Sequence, residues 1–382
     1  MVSSNKKLGI IFSYNEKWIG GTYYILNLVH VLNHLNDNEK PHLVIFSNSA
    51  DFKILQKETS YPYLEFEEFS ENPKVKFFAF LNKITSKVFN IKLIKRRYSK
   101  NIDAIFPYQN NNYINSINAA KRVYWIPDFQ EKHFPEYYSS EHLKNEKVKN
   151  SWIIENSKKL LLSSHDAKKD LVEFYPNYKT KPFVVHFAVK IPELSKLELD
   201  VVLSKFQLPK LYFFSPNQFW KHKNHIVVIK AVELLVKQGT EVVVAFSGKE
   251  LDPRFPGYTA ELKEYVSSKN LQNNVRFLGF LERQEQLKLM ENAVAIIQPS
   301  LFEGWSTVIE EAMSMNKCVI ASNLNVNIEQ LGNNGFYFDP LSPENLAEVL
   351  GKINLTKPQI EYDYVSKQKQ FAVDFLNCVN HN

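Results

Sequence analysis

The sequence predicts an α/β fold built on parallel sheets, and three observations carry that reading. Short apolar runs alternate with helical patterns along the whole chain. Most of those runs end in loops holding glycine, proline or polar residues, as the ligand-facing ends of open sheets do. At 382 residues the chain also has enough material for two hydrophobic cores.

Residues 8–13 read as the first strand. A loop ending in Gly20 and Gly21 follows, then Tyr23, Tyr24, Leu26, Leu28, Val31, Leu32 and Leu35 at helical spacing. Glycines after a first strand let a backbone approach a ligand, although this is not the dinucleotide pattern and a lone Gly-Gly pair is usually a turn. Residues 43–46 and 104–106 continue the strands, with helices between them. The strand 122–126 ends in a loop, 127–136, whose notable groups are Asp128 and His133. A locally bonded loop histidine accounts for His133 as well as a substrate role does. Runs 160–164 and 183–186 close a first domain, and the prolines and mixed charge between 191 and 210 mark its boundary. The expected organisation is one domain over 1–200, a second over 201–358, and a final helix over 359–382.

The second half again reads strand, loop, helix. Strand 211–214 leads to Gln218, Lys221 and Lys223, so positive charge gathers where the next helix starts. Strand 241–247 ends at Gly248, and strand 275–279 carries Phe277 and Leu278. The most informative stretch is QPSLFEGWSTVIEEAMSMNKCVIA, residues 298–321: a strand end, a polar loop, a helix and a second strand. Thr307 and Glu310 fit a capping box, the hydroxyl accepting from the amide near Glu310 and the carboxylate reaching back. Glu311 is then uncommitted in the first turn, with Glu303 in the loop ahead. Two acceptor-only groups thus flank a helix N-terminus that favours phosphate. Carboxylates there suit the hydroxyls of a sugar and a ribose. An isolated pair of glutamates is more often a loop residue and a solvated helix face.

Its surroundings change that balance. Glu303 and Glu311, with Pro299-Ser300, Glu303-Gly304 and Glu311-Ala312-Met313 at matching offsets, resemble the E-x7-E signature of the retaining glycosyltransferases of family 4. The resemblance implies a GT-B fold, two Rossmann-like domains with parallel sheets facing a central cleft. It implies that Glu311 binds the nucleotide ribose and Glu303 touches the donor sugar. Gly304, Trp305, Ser306 and Thr307 would supply the helix N-terminus at the diphosphate, with Lys223 as its cation. Gly20 and Gly21 would face the diphosphate across the cleft, and backbone near Phe277 and Leu278, with Gly248 close by, would meet the base. Gln218 stands where the family has an arginine, and a neutral amide offers a phosphate less than a charged donor; Lys221 is the candidate substitute. Pro127 stands where the family's cleft histidine aligns, and His133 is the candidate replacement. The implied activity is transfer of a hexose-type sugar from a UDP- or GDP-sugar to a glycan or lipid-linked acceptor in cell-surface polysaccharide synthesis. An epimerase of the same fold and a catalytically silent partner protein are the rival readings.

Hydrophobic residues at 44% and charged residues at 23% are ordinary for a globular protein, so disorder is excluded. Two cysteines cannot form a disulfide framework, which fits a reducing cytoplasm. No signal peptide and no apolar run of about 20 residues is evident. There is no Asp-x-Asp and no His/Cys cluster at ligand spacing, so no obligatory metal is expected, nor is a nucleic-acid partner. The net charge of +6 is smaller than the seven Lys and Arg that residues 83–100 carry without an acid. Preceded by apolar residues from Phe77, that stretch has the composition of a helix lying on an anionic membrane, and equally of a core-facing helix with a solvated basic side. On the first reading the enzyme is peripheral at the inner face of the cell membrane.

Overall fold

The computed structural model describes residues 6–15, 19–69, 98–111, 113–356 and 358–381. Residues 77–97, which make up most of the basic stretch, lie outside this set. In the first half, β1 (Lys7–Ile11), β2 (His42–Ser47), β3 (Leu64–Glu68) and β4 (Ala104–Phe106) pair in the order β3-β2-β1-β4. Next come β5 (Val123–Ile126), β6 (Lys159–Leu162) and β7 (Lys181–Val184), in that order. A parallel bridge between Ile105 and Arg122 joins the two sets into one twisted run. The second half holds β8 (Phe213–Ser215), β9 (Val244–Phe246), β10 (Val275–Phe277), β11 (Ile296–Gln298), β12 (Val319–Ser322) and β13 (Gly335–Phe338) in the order β10-β9-β8-β11-β12-β13. All the pairings are parallel. Each half therefore grows outward in both directions from its first strand, as a Rossmann-like unit does, and two such units make the GT-B arrangement. The order reverses between β1 and β4 and between β8 and β11, and ligands of open sheets bind at such points.

Two details differ from the sequence reading. β3 lies in a stretch expected to be helical; it has only Leu64 and Phe66 on its apolar face. Its glutamates cover the sheet edge with charge, Glu65 pairing with Lys7 at 2.5 Å and Glu67 with Lys100 at 3.1 Å. The glycines Gly20 and Gly21 lie inside the first turn of the Ile19–Val31 helix, in place of the expected loop.

One apolar cluster runs through both halves. It takes in Leu8 and Ile10 of β1, the linker residues Phe187, Ala188 and Val189, Ile309 and Met313 of the second half, and Phe371 and Phe375 of the last helix, Tyr364–Asn380. That helix packs on the Ile19–Val31 helix of the first half. Tyr24 stacks on Trp125 with centroids 4.2 Å apart and meets Phe187 and Phe371 edge-on. Cys318 and Cys378 are both buried and unpaired, and burial pushes each thiol up to about 12.

The expected capping box is corrected. Ser306, with extended φ and ψ, is the N-cap of the Thr307–Ser314 helix, and its hydroxyl accepts from the Ile309 amide at 3.3 Å. A box on that cap needs an acid at 309, where the chain has isoleucine, so Glu310 has no capping role. Its carboxylate is 1% exposed and accepts from Trp305 Nε1 at 3.0 Å, Gln330 Nε2 at 2.9 Å and Tyr364 Oη at 2.7 Å. Burial raises its pKa, against the lowering effect of Lys367 and the three donors. Replacing Glu310 by Gln sets an amide NH2 against those donors. Breaking such a buried charged network costs about 3–5 kcal/mol, well beyond the ~1 kcal/mol of a lost cap. Urea unfolding of Glu310→Gln beside the parent separates the two figures.

Candidate active site

Two loops leave the second sheet at its reversal point. The one after β8 forms a turn at Lys221–Lys223 and ends at Asn224, whose φ of 54° is left-handed, a conformation asparagine tolerates. The Asn224 amide donates to the carbonyls of Pro299 at 3.1 Å and Pro340 at 2.8 Å, and the Leu301 amide donates to the His222 carbonyl at 2.8 Å. These bonds lock the β8 loop to the loop after β11. As a result Lys223 Nζ lies 2.5 Å from Glu303 Oε1, which also accepts from Gln298 Nε2. Their side chains are only 14% and 9% exposed. Burial lowers the neighbouring imidazoles, His222 to about 2 and His225 to about 3, so both are neutral and Lys223 supplies the charge beside Glu303.

The other residues of the β8 loop divide. Lys221 is exposed, with Nζ 4.4 Å from the centre of the Phe255 ring. Gln218 is half-buried, its Cα close to Gly248. A Cβ at Gly248 would fall 2.3 Å from the Asn217 carbonyl oxygen, so glycine there lets β9 abut the loop. Phe277 is packed among Phe219 and Phe246, and the Leu278 amide is bonded to the Phe246 carbonyl at 2.9 Å. That amide is therefore already taken.

Across the cleft, Gly304 touches the first half. A Cβ on it would lie 2.8 Å from Asp128 Oδ2 and 3.1 Å from the Pro127 carbonyl oxygen. Asp128 Oδ1 accepts from the Gln130 amide at 3.1 Å, yet burial raises its carboxyl to about 6. Nearby Glu131, Glu303 and Asp170 push the same way. His133 is bonded to Asp170 at 2.9 Å, and its ring lies 5.1 Å from that of Phe302, next to Glu303. Its partner lies 37 residues away, on the His165–Phe174 helix. Among the described residues, a Cβ added at Gly20 would meet no atom within 4 Å.

Glu311 is 2% exposed and ion-paired with Arg283, whose guanidinium lies 5.2 Å from the Tyr23 ring centre. Arg283 is a residue the sequence reading missed; its only signal was a basic residue soon after strand 275–279. Glu311, Thr307, Arg283 and Tyr23 line a cavity of ≈ 520 Å³ together with Asn27, His30 and Lys190. Ser306 contributes less than expected to anion binding, because its amide donates to Gln330 Oε1 at 3.2 Å. Trp305 is 8% exposed and stacks flat on His186 at 4.2 Å.

This arrangement meets a family description. Residues 203–368, which hold Lys223, Glu303, Arg283 and Glu311, match the model of glycosyl transferases group 1. Over that stretch the C-terminal half is similar to the glycosyl transferases of group 1. Protein CapJ of Staphylococcus aureus is 27% identical over 157 residues, 41% of this chain and 38% of CapJ. The O-antigen chain mannosyltransferase RfbU of Salmonella typhimurium is 26% identical over 187 residues, 49% of this chain and 48% of RfbU. The chain thus matches about half or less of each relative's length. In fold it is similar to Anabaena HepE, solved with UDP-glucose, with a TM-score of 0.58 over 98% of this chain and 95% of that one at 18% identity.

The Asp128 carboxyl gives a pH test. Its pKa rises from 3.8 in the unfolded chain to about 6 when folded, so the native state holds the extra proton and loses stability as pH climbs between the two values. Asp128→Asn removes that dependence. The variant should match the parent near pH 4 and exceed it at pH 7.5 by up to ~3 kcal/mol, a difference that paired urea titrations at the two pH values measure.

Proposed function

We propose that the protein is a retaining glycosyltransferase of family 4 that moves a hexose-type sugar from a nucleotide diphosphate donor to a glycan or lipid-linked acceptor in cell-surface polysaccharide synthesis. The observation that carries this reading is the Lys223–Glu303 pair at the sheet reversal point, 2.5 Å apart and facing the first half where Gly304 meets Asp128. It offers a cation for a diphosphate and a carboxylate for sugar hydroxyls within one enclosed cleft. Glu311 at the adjoining cavity suits the ribose hydroxyls, with Arg283 fixing its orientation. The nucleotide sugar bound to HepE supports a UDP- or GDP-sugar as donor, and the name of RfbU supports a polysaccharide acceptor.

In the transfer, the bond from the sugar's anomeric carbon to the diphosphate oxygen breaks and the acceptor oxygen bonds to that carbon on the same face. The acceptor's hydroxyl proton passes to the departing phosphate oxygen. Lys223 balances the charge that grows on the diphosphate, and the enclosed setting makes that interaction stronger than in water. On this reading Asp128, whose carboxyl is ionised above about pH 6, accepts a hydrogen bond from the sugar.

Incubation with a panel of UDP-, GDP-, ADP- and dTDP-sugars tests the proposal. Acceptor-dependent nucleotide release supports it, whereas an isomerised donor indicates an epimerase and binding without turnover a silent partner. Lys223→Ala should lower kcat about 10²–10³-fold, and Glu311→Gln should weaken donor binding; equal donor affinity in the variant and the parent removes Glu311 from the ribose site. The basic stretch 77–100 supports delivery of the acceptor at an anionic membrane on the cytoplasmic side. Salt-sensitive co-sedimentation with anionic vesicles, abolished when Lys95, Arg96 and Arg97 are all changed to Glu, checks this; parent protein left in the supernatant at low salt points to a soluble acceptor.

A further inference from the structure

A second cluster joins the two halves away from the Lys223–Glu303 pair. His165 opens the His165–Phe174 helix, His186 lies two residues beyond β7, and Glu329 belongs to the Asn325–Leu331 helix of the second half. One potential ligand atom from each lies within 4.8 Å of the other two, and among the described residues no other group of three does this. Glu329 Oε1 is 2.6 Å from His186 Nε2 and accepts from the His165 amide at 2.7 Å, while Oε2 accepts from the Asp166 amide at 3.2 Å. The His186 ring is held flat against Trp305 at 4.2 Å and 4°. Carboxylate and imidazole are thus oriented by neighbours, as the ligands of metal sites are. The third donor, the exposed ring of His165, lies edge-on to that of His186 with centroids 5.6 Å apart.

We propose that His165, His186 and Glu329 form a transition-metal site that ties the two halves of the chain together. Two imidazoles and one carboxylate are a donor set that zinc accepts, with a fourth position left for water. Metal–ligand bonds of about 2.0–2.2 Å set donor atoms roughly 3.4 Å apart, so on binding Glu329 Oε1 and His186 Nε2 separate from 2.6 Å while the His165 side chain rotates inward. The positive end of the His165–Phe174 helix opposes a cation, but Glu329 and the first-turn Asp166 outweigh its half charge. Because Trp305 adjoins Gly304 and stacks on His186, a bound ion holds the loop after β11 against the first half. This is a structural cross-link, separate from the transfer chemistry.

The test uses the full chain in chelator-free buffer. Calorimetric titration with ZnCl2 should show one ion bound per chain and a raised melting temperature. Cobalt(II) chloride should give the visible absorption of a protein-bound ion. His165→Ala alters an exposed side chain and keeps the Glu329 bonds to the helix amides, so it should fold like the parent while losing the cobalt band and weakening zinc at least tenfold. Glu329→Gln should do the same, and its circular dichroism separates lost ligation from lost folding. Absence of saturable one-to-one binding to the parent, or equal zinc affinity in the parent and a folded His165→Ala, overturns the proposal.

Discussion

The buried carboxylate of Glu310 fixes the relative positions of the segments that make the site. Its three donors come from the loop after β11, the Asn325–Leu331 helix and the last helix. Tyr364 Oη also accepts from the Val189 amide at 2.8 Å, and Trp305 Nε1 donates to the Phe187 carbonyl at 3.2 Å, so the linker between the halves joins the same network. In a low-dielectric setting every unmade bond leaves a desolvated polar group, and a fully satisfied network has one arrangement. The last helix returns to the first half because its apolar face, Phe371 and Phe375, completes that core. Glu310 then registers it against the loop after β11.

Trp305 is where two lines of contact meet. Its indole nitrogen points into the Glu310 network, and its face covers His186, which bonds Glu329 across the halves. The neighbouring Gly304 has no side chain and so lets Asp128 come within contact distance. A large flat residue anchored on both sides, followed in space by a position with no side chain, closes the cleft at this point. The sheet reversal between β8 and β11 does the rest, since it sends two loops from adjacent strand ends to the same place.

Electrostatics at the site follow from burial. His222 and His225 are held neutral, so the charge near Glu303 is that of Lys223 alone among the groups of its turn that are not exposed. Asp128 is shifted upward by desolvation and by neighbouring acids. One cation, Lys223, and two carboxylates, Glu303 and Asp128, meet at the cleft.

The alternation of strands and helices and the parallel α/β fold are legible in the chain alone, as are the loop and helix start on which Glu303 and Glu311 stand. These signals are local: an apolar run, a turn residue and a helix start lie within a few positions of one another, and their spacing survives in one dimension. Which carboxylate is buried, and with whom, follows only from packing in three dimensions. Glu310 and Glu311 are adjacent, and nothing local tells that one meets Tyr364 and the other Arg283, 54 and 28 residues away. The same holds for the His165, His186 and Glu329 cluster, which has no ligand spacing because its members come from three elements. The edge strand β3, with only two apolar residues, is held by pairing with β2 over five positions, a constraint that exists only once β2 is in place.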